Sequence, residues 1–162
     1  MQLQLTTTIH APKEVVFDLS RSIDLHKIST AHTHEEAIAG TTTGLIGLNE
    51  TVTWKARHLF KSRTMMVKIT QLQPFDFFED VMQEGDFKSF RHEHHFRETG
   101  SETIMTDMLE FESPFGILGK WVDNLFMKQY LERLLVKRNE TIKQFAEGGQ
   151  WKNLPGMLPL LA

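Results

Sequence analysis

The chain has no cysteine, a single tyrosine and five prolines in 162 residues. Without thiols there can be no disulfide framework, no thiolate nucleophile, no iron–sulfur cluster and no thiolate zinc site. A basic stripe is also missing. The formal charge is −3, and the densest cationic step, Lys137-Arg138, is expected near the end of a helix, where cations complement the dipole. That balance argues against a general nucleic-acid binder. No apolar run approaches the ~20 residues of a membrane span, and Met1-Gln2-Leu3-Gln4-Leu5 alternates, unlike the apolar core of a signal peptide. A cytoplasmic location is the default expectation. Gly40, Gly44 and Gly47 lack the lysine and the strand–loop–helix context of a phosphate cradle, and there is no Gly-x-Ser-x-Gly elbow.

What is abundant is phenylalanine (12), methionine (8) and histidine (8). Phenylalanine and methionine suit a large core or an adaptable cavity wall. Leu3, Leu5, Thr7 and Ile9 alternate with Gln2, Gln4, Thr6 and Thr8, as in a half-buried strand. Pro12 suits the first turn of a helix whose stripe is Val15-Val16-Phe17 and Leu19, and Ser22 caps a second short helix toward Lys27. Strands are expected at 31–39, 50–58, 61–73, 76–83, 86–97 and 102–112. Glu84-Gly85 would be a short turn with the glycine at positive φ, and Glu98-Thr99-Gly100-Ser101 the next hairpin turn. From Ser113-Pro114 a long helix is expected, with Leu118, Trp121, Val122, Leu125, Phe126, Leu131, Leu134, Leu135 and Ile142 on one broad face and a stop at Gly148-Gly149.

No repeat or linker divides the chain, so residues 1–147 read as one domain and 148–162 as an apolar tail broken by proline and glycine. The tail could cover a pocket mouth, pack on a neighbouring subunit as in a homodimer, or be disordered. The predicted class is α+β: a helix-grip fold, in which a curved antiparallel sheet of six or seven strands wraps around the long C-terminal helix. Two short helices after the first strand would plug one end.

That order resembles the START and Bet v 1-like (SRPBCC) superfamily, the polyketide cyclase/dehydrase and lipid-transport group. The resemblance covers about residues 2–147 and rests on Ala11-Pro12-Lys13-Glu14-Val15-Val16-Phe17, Gly47-Leu48-Asn49-Glu50-Thr51-Val52-Thr53-Trp54, Phe90-Arg91-His92-Glu93-His94-His95-Phe96, Met105-Thr106-Asp107 and Ser113-Pro114. It implies a cavity under the long helix that takes lipids, polyketides, plant hormones or quinones, and in a minority of members cyclisation or dehydration there. No motif selects among these.

Alternation places Phe90, His92, His94 and Phe96 on one face of 86–97, and Thr103, Met105, Asp107, Leu109 and Phe111 on the inner face of 102–112. A turn centred near Thr99-Gly100 sets His92 opposite Asp107 and His94 opposite Met105. A buried carboxylate needs a partner, so this His–Asp pair is expected to be a structural hydrogen bond, a ligand-orienting group or a general acid–base. The candidate catalytic residues are therefore His92 and Asp107. The candidate ligand contacts are Glu50, Trp54, His58, Met65, Phe90, His92, His94, Met105, Asp107, Trp121 and Leu125. His92-x-His94 and His32-x-His34 both have metal-ligand spacing on a strand, with Glu50, His58 or Asp107 as a third ligand, but such pairs arise by chance among eight histidines. The expectation is no metal and no cofactor, and a hydrophobic small molecule as partner. The leading function is binding or carriage of that molecule. The alternatives are a cyclase/dehydrase-type enzyme and a protein-interaction module using the tail.

Overall fold

Alternating burial carries the sheet. Residues 102–112 bury Thr103, Met105, Asp107, Leu109 and Phe111 and no residue between them, the inner set selected by hydrophobicity. The computed structural model describes residues 1–58, 61–114 and 126–157, and of His58 only the backbone. Within them β1 (Gln2–Ile9) is followed by α1 (Lys13–Ser20) and α2 (Ile23–Ser29). Next come β2 (Glu36–Gly40), β3 (Thr51–His58), β4 (Lys61–Gln73), β5 (Phe77–Glu84), β6 (Ser89–Thr99), β7 (Glu102–Glu112) and the long helix α3 (Lys128–Gly148). The seven strands form one sheet in the order β1-β7-β6-β5-β4-β3-β2, antiparallel throughout. Register shifts in β2 (Ala37/Ala39), in β5 at Gln83 (opposite Met66/Val67) and in β4 at Thr70 (Ile69/Gln71) bend those strands, which is how bulges curve a sheet around a helix.

Helix α3 closes the concave side. Its Ile142 and Ala146 join the main core with Val15, Val16, Phe17 and Leu19 of α1 and with sheet residues such as Val67, Phe78 and Phe96. Leu135 packs in a second cluster with Leu3, Leu109 and Phe111. Phe17 lies edge-on to Phe75, Phe78 and Phe96, with centroids 5.6, 5.7 and 5.3 Å away. Such pairs contribute about 0.5–1.5 kcal/mol each beyond the area they bury, and here they fix α1 to one end of the sheet.

The structure departs from sequence expectation at several places. Residues 31–39 are not one strand: Ala31–Thr33 form a 3-10 turn, His34 takes φ 51° and β2 starts only at Glu36. The cause is local. The Ser29 and Thr30 hydroxyls both donate to the carbonyl of His26, and the Thr33 hydroxyl to that of Thr30, prolonging the helical winding of α2. His32 and His34 therefore do not share a strand face. Gly85 is not at positive φ, so no turn conformation requires the glycine; a Cβ there would stand 2.6 Å from Met82 Sδ and would displace that flexible side chain. The β6–β7 turn is Gly100-Ser101, one residue later than expected, so His94 faces Asp107 and His92 faces Leu109. This two-residue shift leaves both faces intact.

Phe126, placed by spacing on the apolar stripe, stands in the π-helical turn that leads into α3 and is exposed, and Leu118, Trp121, Val122 and Leu125 lie outside the described residues. The helix ends at Gly148, with Gly149 at φ 72°. Beyond it a 3-10 turn (Gln150–Asn153) buries Trp151, and Leu154 and Met157 pack on the main core. Residues 150–157 thus lie on their own domain. Among the described residues no helix is long and apolar enough to cross a membrane.

Candidate functional site

Because α3 touches the sheet chiefly at its β1 edge and otherwise rests on α1 and α2, a hollow remains between helix and sheet. This cavity has a volume of about 530 Å³. Most of its wall is apolar: Trp54, Met65, Val67 and Phe90 come from the sheet, and Leu131, Leu134 and Leu135 from α3. Volume and wall suit a small organic ligand.

One polar part of the wall lies where β5, β6, β7 and α3 meet, and His26, Thr30, Glu35 and Tyr130 line another. Asp107 is fully buried. Its Oδ1 lies 3.0 Å from His92 Nε2 and 3.4 Å from the donating Arg138 Nη1, and its Oδ2 accepts from Asn139 Nδ2 at 2.6 Å. Arg138 also donates through Nη2 to the Ser20 carbonyl at the end of α1 (2.7 Å), and Asn139 to Thr7 Oγ1 (3.2 Å). Asp80 Oδ2 stands 3.0 Å from His94 Nε2 and 3.9 Å from His92 Nδ1. The remaining ring nitrogen, His94 Nδ1, is 2.8 Å from Asp107 Oδ1 but at an angle too poor for a hydrogen bond, so that contact is electrostatic. The two imidazoles are 3.8 Å apart between centroids, and His94 also stacks on Phe78 at 4.1 Å.

Burial would raise the Asp107 carboxyl, yet the hydrogen bond from His92 and the close electrostatic contact with His94 hold it well below the usual carboxylate range. Asp80 is lowered in the same way, against burial, by the His94 hydrogen bond and by the charges of His92, His94 and Arg138. His92 is pushed down by burial and by its neighbour His94, against the pull of Asp107 and Asp80. At neutral pH the cluster therefore presents two carboxylates, a guanidinium and a neutral His92. A neutral imidazole backed by a carboxylate can accept a proton or a hydrogen bond from a bound molecule. One carboxylate oxygen of Asp80 and one ring nitrogen each of His92 and His94 also lie within 4.8 Å of one another, close enough for three ligands on one ion.

Of the residues singled out from sequence, Trp54, Met65, Phe90, His92 and His94 line the cavity. Asp107 lies directly behind the histidines. Met105 is fully buried away from the cavity, its sulfur accepting from the Ser20 hydroxyl at 3.3 Å. Glu50 is exposed and closes its own loop by accepting from Gly47 N–H at 2.6 Å. The side chain of His58, and Trp121 and Leu125, lie outside the described residues.

Sequence reasoning passed over Asp80, Arg138 and Asn139. Asp80 stands between Phe78 and Met82 on the alternating inner face of β5, and Arg138 continues the Leu131, Leu135, Ile142 stripe; both were readable as charges on an apolar face. The expectation that Arg138 complements the helix end is corrected: ten residues of α3 follow it, and its side chain is buried on Asp107.

No protein-family model and no curated protein matches the sequence. Solved structures do match. Protein TTHA0849 from Thermus thermophilus is 20% identical with a TM-score of 0.69, over 88% of this chain and 97% of that one. A START superfamily protein from Mycobacterium smegmatis is 14% identical (TM-score 0.68; 89% and 98% covered). Major latex-like protein 151 of Panax ginseng is 15% identical (TM-score 0.67; 90% and 97% covered). This chain shares the fold of these proteins, a curved antiparallel sheet closed by a long C-terminal helix.

Proposed function

We propose that the protein binds or carries an apolar small molecule with one polar end, of lipid, polyketide or quinone-like chemistry, in the cavity between the sheet and α3. The observation that carries this reading is the pairing of a mostly apolar wall with the buried cluster of Asp80, His92, His94, Asp107 and Arg138 in about 530 Å³. Trp54, Met65 and Phe90 would contact the apolar body, and His92, His94 and Asp80, backed by Asp107 and Arg138, would fix the polar end. A polar group left unmatched against that cluster would cost about 1–3 kcal/mol, so the cluster selects for ligands that carry one. The fold supports the reading, since the superfamily the sequence resembles uses this hollow for such molecules.

The test is native mass spectrometry of the protein purified from cells, together with displacement of a fluorescent apolar probe. A co-purifying hydrophobic molecule, or one probe per chain displaced by fatty acids or quinones, is the expected result. Leu134→Trp, which fills the hollow, should weaken the probe at least tenfold. Absence of both ligand and probe binding overturns the proposal.

A second reading is favoured by one specific feature, the cavity-facing His92 held neutral and hydrogen-bonded to Asp107. In it His92 is the general base of a cyclisation or dehydration. His92→Ala would then abolish turnover and leave ligand affinity within about threefold, and the rate would rise with pH as His92 deprotonates. Equal loss of binding and turnover would leave His92 an orienting role only.

A further inference from the structure

We propose that Asp80, His92 and His94 form a three-ligand site for a first-row divalent transition-metal ion, open on the cavity side. Antiparallel pairing of β5 and β6 sets Asp80 directly opposite His92, and His94 follows two residues on along the same face. Three donor atoms converge there: Asp80 Oδ2, His92 Nδ1 and His94 Nε2.

The outer nitrogens are what make the convergence informative. His92 Nε2 and His94 Nδ1 both face Asp107 Oδ1, at 3.0 and 2.8 Å. The hydrogen bond to that oxygen favours hydrogen on His92 Nε2, and the close contact of His94 Nδ1, though not a hydrogen bond, is electrostatically favourable with hydrogen on that nitrogen. The neutral rings then point their lone pairs, from His92 Nδ1 and His94 Nε2, at the Asp80 carboxylate. Three electron-pair donors facing one another in this way are satisfied by a cation between them. Carboxylate–histidine–metal relays have this arrangement, with the outer partner fixing tautomer and ring orientation. Here the outer partner is itself fixed by Asn139 and Arg138.

Charge and spacing agree. With both rings neutral, Asp80, Asp107 and Arg138 sum to one negative charge in a buried site. Metal bonds of about 2.0–2.2 Å place neighbouring donors roughly 3–3.6 Å apart. The Asp80–His94 distance of 3.0 Å fits as it stands, and the Asp80–His92 distance of 3.9 Å needs only a small ring rotation. Two imidazoles and a carboxylate, with no sulfur, select zinc or iron(II)-type ions over calcium or magnesium. Three protein ligands leave coordination positions for an oxygen of whatever occupies the cavity. The site shares the cavity wall but does not depend on the identity of the organic ligand.

The experiment uses the full chain, stripped with a chelator and titrated with Co²⁺ and with Zn²⁺ alone. One ion per chain is expected, with ligand-field absorption for Co²⁺. Asp80→Asn and His94→Gln should lower affinity at least 100-fold and Asp107→Asn about 10–100-fold. His32→Gln/His34→Gln should leave it unchanged. In the unmodified protein Co²⁺ should shift the ring NMR signals of His92 and His94, which keeps the test valid if a variant fails to fold. No binding, binding that survives Asp80→Asn, or shifts confined to exposed histidines would overturn the site, whatever the fate of the apolar ligand.

Discussion

Replacing Asp107 by asparagine should be among the most damaging single changes in this protein. The carboxylate is fully buried and meets His92, His94, Arg138 and Asn139. Asparagine keeps the shape but puts an amide N–H₂ against a set of donors, and it leaves the Arg138 guanidinium facing a neutral group. Breaking a buried charge pair in this way costs about 3–5 kcal/mol. For a chain of this length each kcal/mol lowers Tm by about 2–4 °C, so a fall of about 6–20 °C is expected. The assay is thermal unfolding by circular dichroism with a chelator present, so that no ion contributes. Asp107→Leu combined with Arg138→Met removes both charges and should cost less than the two single losses together, with a coupling of about 1–3 kcal/mol. A loss below about 1 kcal/mol for Asp107→Asn would refute the reasoning, as would additivity of the pair within about 0.5 kcal/mol.

Three further outcomes follow from particular contacts. At Gly40 (φ +75°) a Cβ would stand 2.1 Å from the Thr51 carbonyl oxygen; Gly40→Ala should cost at least about 3 kcal/mol in urea unfolding, and a loss under about 1 would contradict the geometry. Trp151→Ala should cost about 3–5 kcal/mol, because the indole packs into the main core; unchanged stability would mean that the segment after α3 is not part of the folded unit. Glu79 on the outer face is buried, which would raise its carboxyl, but Thr70 and Arg91 win and lower it. A carboxyl lowered by folding contributes stability that is present above its ordinary value of 4.5 and lost as pH falls through the folded value. The Tm of Glu79→Gln should therefore fall less steeply than the parent's below pH 4.5, and parallel curves would rule this out.

The fold was largely legible because its signals are local. Alternation located β1, β3, β4 and β7 to within a residue, since half-buried strands write their burial into every second position. Ser22 was readable as a cap, and its oxygen accepts from Leu25 N–H at 3.2 Å. Illegible features were those in which one local preference competes with another. The β-prone stretch after α2 was captured by hydroxyl-to-carbonyl bonds of Ser29, Thr30 and Thr33. The β6–β7 register turned on whether Gly100 takes the first or second turn position; it takes the first, at φ 62°.

The site was legible only as far as alternation reaches. His92 and His94 could be set inside and Asp107 given a partner, because an even register error does not invert a face: the predicted His92–Asp107 contact survives as a diagonal one at 3.0 Å. Arg138 is 31 residues from Asp107, and its role depends on how α3 lies across the sheet, which no short-range pattern specifies. Asp80 and Arg138 nevertheless carried a signal of their own, a charge on a face that is otherwise apolar. Burying either alone would cost several kcal/mol, so two such positions on elements that pack together predict that their charges answer one another. Here they do so through the histidines and Asp107: Arg138 holds Asp107, Asp107 holds both rings, and both rings face Asp80. Reading every charged residue on an apolar face as one half of an unseen pair would have recovered the cluster from sequence; reading Arg138 as a helix-end cation is what hid it.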